Sequence, residues 1–223
     1  LKALQAEFEK IVPMKKAECK VKFRGEAEAE VMGDISSNPL DSLPRADISK
    51  EANNLLKKLS DKDWKVRNEG LEALESLLAA NNNRILPNGL HDLVTLLKTR
   101  LNDNNKSQVK AFIVFLGKFA TALGSGVKNF SKILVPELVK NLSDKQNIIR
   151  SETLVTLGKF SAEIGAENVI NQLLPLLAVD NPELRTEVIN WVLSNADSLN
   201  KAEVRANINP VLSALQDKTK EIR

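Results

Sequence analysis

Leu59-Ser60-Asp61-Lys62-Asp63-Trp64-Lys65-Val66-Arg67 returns as Leu142-Ser143-Asp144-Lys145-Gln146-Asn147-Ile148-Ile149-Arg150 and as Leu215-Gln216-Asp217-Lys218-Thr219-Lys220-Glu221-Ile222-Arg223. Two looser copies fill the gaps: Leu101-Asn102-Asp103, with Val109-Lys110 one residue late, and Leu177 with Asp180 and Arg185. The leading leucines stand at 59, 101, 142, 177 and 215, at intervals of 42, 41, 35 and 38 residues. A second register agrees. Leu116-Gly117-Lys118-Phe119 recurs 41 residues on as Leu157-Gly158-Lys159-Phe160. Two independent segments sharing one offset define an internal repeat.

Each period carries two helical patterns. The first helices are expected over 47–60, 88–102, 128–142, 168–178 and 201–216, and the second over 64–80, 106–123, 146–164 and 182–198. Asp61, Asp103, Asp144, Asp180 and Asp217 stand where the first helix ends and the second begins, where a carboxylate can cap backbone N–H groups. Helix pairs at a period near 40 predict an all-α fold, an α-solenoid of HEAT or armadillo repeats. No single pair can bury its apolar face, so stacking makes the core. Phe112, Phe115 and Phe119 form one buried stripe. Leu173, Leu174, Leu176 and Leu177, with Ile189, Trp191, Val192 and Leu193, form another.

Composition agrees. Charged residues at 27% and apolar residues at 43% describe a globular chain of 223 residues, and nine aromatics with nine Gly and eight Pro argue against a β sandwich or barrel. The net charge of +3 is too balanced to point to a nucleic-acid binder. No apolar run approaches a membrane span. One Cys excludes an internal disulfide and fits a reducing compartment. The start lacks Met and a signal-peptide core, so the chain reads as a segment of something longer. Residues 1–12 read as a helical tail of a preceding segment, with Leu1, Leu4, Phe8 and Ile11 on one stripe. Residues 13–46 read as a linker, and the repeats fill 47–223, stopping inside a fifth pair.

Catalytic groups are scarce. His91 is the single histidine, and Cys19 has no His nearby. Gly124-Ser125-Gly126 has no following Gly-Lys-Ser/Thr and reads as a helix end and turn. No nucleophile, base and orienting group stand together, so the chain is expected to be no enzyme and to carry no metal or cofactor.

In such a stack every turn within a pair emerges along one edge. Five turns spaced by packed helices span on the order of 40 Å, which suits a large protein surface. Four of the five turns carry lysine, and the first also carries Trp64. Arg67, Arg150, Arg185 and Arg223 recur at one place in the repeat and read as a structural ladder with neighbouring aspartates. Trp64 lies about 200° from Val66, off the Val66-Gly70-Ala73-Leu77 stripe, yet seven-residue steps link it to Leu71 and Leu78. On these residues alone a packed and a contacting Trp64 both stand.

The stretch 63–71, followed by Arg100-Leu101-Asn102-Asp103-Asn104-Asn105-Lys106, resembles a TOG domain of the tumour-overexpressed-gene microtubule polymerases. The lead-in Leu43-Pro44-Arg45-Ala46-Asp47-Ile48-Ser49 is most similar to that of the fourth domain of such arrays. The resemblance covers 43–223. It implies a non-enzymatic module that binds tubulin or the microtubule lattice through its intra-pair turns, in the cytoplasm, on microtubules, spindle and centrosome, monomeric as a fragment. Position by position it implies contacts from Trp64 and Lys65 in the first turn, Asn105 and Lys106 in the second, Lys145 in the third, and Lys218 and Lys220 in the fifth. The fourth turn offers no lysine. The rival of the same fold is a HEAT scaffold binding through its inner face. A catalytic or nucleic-acid-processing HEAT protein would need a clustered site.

Overall fold

The computed structural model describes residues 44–195, and these contain eight α-helices. They are α1 (Ser49–Leu59), α2 (Trp64–Ala80), α3 (His91–Arg100), α4 (Lys106–Leu123), α5 (Lys128–Val139), α6 (Asn147–Ile164), α7 (Ala166–Leu173) and α8 (Pro182–Ser194). Short 3-10 turns follow α4, α5 and α7. The helices follow as four successive pairs; α1 packs on α2, α3 on α4 and α5 on α6, whereas α8 packs on the 3-10 turns after α5 and α7. The first helices α1, α3, α5 and α7 stack in one row, and the second helices α2, α4 and α6 stack in another. This is the solenoid that the repeat predicts. The predicted tail 1–12, most of the stretch 13–46 and the fifth pair lie outside the described residues.

Helix α4 is the centre of the stack. It carries eleven buried residues, because α2 and α6 cover it from opposite sides and the first helices lie beneath. Phe112, Phe115 and Phe119 are fully buried, and the rings of Phe115 and Phe119 stack with centroids 6.0 Å apart. At the far end of the described residues Leu173, Trp191 and Val192 are buried as expected, but Leu193 is 62% exposed. On α8 the buried set is Leu184, Val188, Trp191 and Val192, and Leu193 turns about 100° past it to solvent.

The stripe on α2 also differs from expectation. Its buried residues are Arg67, Gly70, Leu71, Leu74 and Leu78, whereas Val66, Ala73 and Leu77 are half-buried. The packing face is centred about one position further on than the Val66 stripe.

The repeated Leu-Gly-Lys-Phe motif does two different jobs. At Gly117 a Cβ would sit 3.1 Å from Thr156 Oγ1, and that hydroxyl is buried and donates to the Ile113 carbonyl at 3.0 Å. Gly117 is therefore where α4 and α6 approach closely. Around Gly158 nothing lies within 4 Å of a Cβ. Gly117→Ala is expected to cost about 1–2 kcal/mol from overpacking. Gly158→Ala is expected to stabilise by roughly 0.5–1 kcal/mol, because Ala is the better helix former. Urea denaturation of the two variants checks the opposite signs.

Residues 44–46 are tied to the opposite edge from the intra-pair turns. Arg45 Nη1 donates to the Ala122 carbonyl at 2.9 Å, at the C-terminal end of α4 where a cation is favoured. Ala46 pairs with Ile85 in an isolated bridge. Gly124, with φ of 57°, ends α4, and a Cβ there would run into the Arg45 guanidinium.

Candidate functional site

The intra-pair turns are built on one plan. Asp61 Oδ1 accepts the Asp63 N–H at 2.8 Å, Asp103 Oδ1 that of Asn105 at 2.9 Å, and Asp144 Oδ1 that of Gln146 at 2.9 Å. Each recurring aspartate thus closes a tight turn with the backbone two residues on. The expectation that these aspartates cap the helices is corrected. The cap is the residue two places later: Asp63 Oδ1 accepts the Lys65 N–H at 2.9 Å, and Asn105 Oδ1 accepts those of Ser107 and Gln108 at 3.0 and 3.4 Å. The fourth turn is one residue shorter. There Asn181 directly follows Asp180 and caps α8 through the Leu184 N–H, leaving the Asp180 side chain fully in solvent.

Arg67, Arg150 and Arg185 form a ladder that binds mainly backbone carbonyls rather than the expected aspartates, and Arg223 lies outside the described residues. Arg67 Nη1 donates to the carbonyls of Asp61 and Lys62, both at 2.9 Å. Arg150 Nη1 does the same to Asp144 and Lys145, at 2.7 and 3.2 Å, and Arg185 Nη1 donates to the Val179 carbonyl at 2.8 Å. Arg67, which is buried, also reaches the next turn, with Nη2 3.4 Å from Asp103 Oδ2. From the second turn to the third, Lys106 Nζ lies 2.6 Å from Asp144 Oδ2. These cross-turn contacts set the first three turns side by side along one edge.

Trp64 is the first residue of α2 and is 49% exposed. It lies in line with the buried Leu71 and Leu78, the alignment that leaves a packed Trp64 open on the helical wheel. Its exposure comes from its axial position, in the first turn of the helix where the stack ends. Lys65 is exposed beside it, and Lys145 is exposed at the third turn. Asn105 is half-buried, and its side-chain oxygen is engaged as the α4 cap. Lys106 is half-exposed but is not the free point charge that a turn lysine suggests, because its ammonium is paired with Asp144. Lys218 and Lys220 lie outside the described residues.

Two further edge residues escape a reading that looks for lysine. Ile148, 46% exposed, and Val179, 42% exposed, are among the large apolar side chains most open to solvent. The repeat held the signal for the first, since Ile148 stands in register with the outward Lys65. Among the described residues no group of His, Cys, Asp and Glu side chains could hold a metal ion.

Burial would raise the carboxyls of Asp103 and Asp144, but their partners win and both are held below the ordinary aspartate range. For Asp103 these are the Asn105 N–H, the Arg100 hydrogen bond and the charges of Arg67 and Arg100. For Asp144 they are the Lys106 hydrogen bond, the Gln146 N–H and the charges of Lys106 and Arg150. A depressed carboxyl contributes stability above its unfolded pKa, about 3.9, and that stability is lost as pH falls through the lower folded value. The melting temperature is therefore expected to fall as pH drops below about 4. The double variant Asp103→Asn/Asp144→Asn should flatten that fall, and an unchanged acid profile would count against these turns as its source.

Known proteins bear on this edge. The CLASP N-terminal family model matches residues 47–223. Protein MOR1 of Oryza sativa subsp. japonica is 32% identical over 199 residues, which cover 87% of this chain and 10% of that protein. The chain thus spans about a tenth of the length of that relative. A solved structure from work on microtubule plus-end tracking by XMAP215, CLIP-170 and EB1 superposes with a TM-score of 0.68 at 22% identity, over 82% of this chain and 79% of its own. Another, from work on tubulin recruitment by microtubule polymerases with TOG domain arrays, gives a TM-score of 0.68 at 16% identity, over 83% of this chain and 41% of its own. At these identities the superpositions establish the fold, and the family model establishes kinship. The chain belongs to the CLASP N-terminal family and is a TOG domain built of HEAT repeats.

Proposed function

We propose that this domain is a non-catalytic module that binds tubulin, free or in the microtubule lattice, through the edge formed by its intra-pair turns. It would serve a microtubule polymerase on cytoplasmic microtubules, at the spindle and centrosome. The observation that carries this reading is Trp64, a large aromatic half in solvent at the first turn, between the exposed Asp63 and Lys65. An aromatic anchor on an edge that also exposes Lys62, Lys65 and Lys145 suits an acidic protein surface. A fold shared with a structure solved in work on tubulin recruitment supports the choice of partner. Contact roles for Trp64, Lys65, Asn105, Lys106, Lys145, Lys218 and Lys220 belong to the proposal, as does the fourth place in an array, which rests on the lead-in 43–49. So do the boundaries of a tail at 1–12, a linker at 13–46 and the domain at 47–223. The domain acts as a monomer, without cofactor, nucleic acid or membrane.

Gel filtration with free tubulin beside cosedimentation with microtubules tests the reading. Binding in either assay that weakens from low to physiological salt supports it, because exposed charges are screened over ~8–10 Å. Binding that survives Trp64→Ala with Lys65→Ala and Lys145→Ala would instead favour a HEAT scaffold that uses its inner face.

A further inference from the structure

Among the described residues the ion pairs of Arg67 with Asp103 and of Lys106 with Asp144 each join one turn to the next, and they differ in exposure. Asp103 is gripped by Arg67, whose side chain is 7% exposed, so that link is interior. Asp144 is gripped by Lys106, whose side chain is 47% exposed, while Asp144 itself is 7% exposed. The aspartate is the fixed member of this second pair. Its Oδ1 accepts the Gln146 N–H at 2.9 Å, its own backbone carbonyl takes Arg150 Nη1 at 2.7 Å, and Oδ2 faces Lys106 Nζ at 2.6 Å. A lysine ammonium has three N–H donors. One goes to Asp144, and with half the side chain in solvent the other two remain open to a partner. At the fourth turn the Asp180 side chain stands in solvent, 3.9 Å from Arg185 Nη1.

We propose that Asp144 is a positioning residue for recognition. Across 38 residues of sequence it holds the Lys106 ammonium at a set point on the edge, with two donors aimed outward for a carboxylate of the partner. This rests on the edge-binding reading above. A free lysine loses rotamer freedom when it binds, and a lysine already immobilised has met most of that cost. Asp144 thus trades a unit of net positive charge for preorganisation. The consequence runs against simple charge counting. Asp144→Asn makes the edge more positive, yet it is expected to weaken the complex with an acidic partner.

The experiment measures binding of free tubulin by Asp144→Asn, Lys106→Ala and the double variant, with Trp64→Ala as the reference and a melting curve for each. Asn keeps an oxygen for the Gln146 N–H, so the third turn should persist. Asp144→Asn is expected to lower affinity about 3- to 10-fold at physiological salt, the range set by ordering one long side chain. In the Lys106→Ala background the same substitution should have no further effect. Tighter binding by Asp144→Asn would mean that net charge governs, and overturns the proposal. An equal loss with and without Lys106 would mean a general structural defect, and overturns it too. If Trp64→Ala weakens binding while Asp144→Asn leaves it unchanged, positioning falls and the edge stands. If Trp64→Ala also leaves binding unchanged, the edge reading falls and positioning falls with it.

Discussion

Trp64→Ala is expected to lower tubulin affinity by roughly thirtyfold or more while shifting the melting temperature by only a few degrees. The two numbers come from two environments of one side chain. Truncating an aromatic anchor in a docked interface costs about 2 kcal/mol or more, and every 1.4 kcal/mol is about tenfold in affinity. In the free domain Trp64 is already half in solvent at the first turn of α2, so its removal leaves no closed cavity. A loss of about 1 kcal/mol would move the melting point by about 2–4 °C in a domain of this size. A core tryptophan would reverse the pattern, at about 3–5 kcal/mol of stability. Trp191, 7% exposed within the α8 packing, is the internal control, and its truncation should melt the domain early. A Trp64→Ala protein that melts many degrees lower yet binds normally in its folded fraction would remove the anchor from the edge.

The case of Trp64 also marks where sequence reasoning stops. Periodicity sorts residues by angle around a helix, and it located the α2, α4 and α6 spans to within a residue. It says little about height along the axis. Trp64, Leu71 and Leu78 share one angle, yet only the latter two are buried. The glycine pair shows a second limit. Gly117 and Gly158 occupy the same place in identical tetrapeptides, but only Gly117 lies where a neighbouring helix presses in. A repeat copies sequence more faithfully than it copies surroundings. The aspartates show a third. Their spacing placed them at every turn, while the division of labour between turn closure by Asp103 and capping by Asn105 depends on backbone direction, which composition does not carry. Pairings across the turns, such as Lys106 with Asp144, join residues 38 apart and need the stack itself to bring them together.

Arg67→Ala should be the most damaging change at the edge for stability, and its size follows from what Arg67 closes. The guanidinium takes two carbonyls of the first turn at 2.9 Å and faces the Asp103 carboxylate of the second at 3.4 Å, with 7% of its side chain in solvent. Removing one member of a buried ion pair costs about 3–5 kcal/mol, because the remaining charge loses its compensation. Asp103 keeps Arg100 at 3.1 Å and the Asn105 N–H, which lowers the expected loss to about 2–3 kcal/mol. That corresponds to a fall of about 4–12 °C in melting temperature. Arg150 makes the same two carbonyl contacts within the third turn and also donates to Asn147 of its own helix, with no aspartate of another turn as a partner among the described residues. Arg150→Ala is therefore expected to cost about 1 kcal/mol, the net worth of exposed hydrogen bonds. The difference between the two variants isolates the link between turns. Equal melting shifts would mean that the carbonyl contacts carry the whole effect, and that the first and second turns hold their spacing without the Arg67–Asp103 pair.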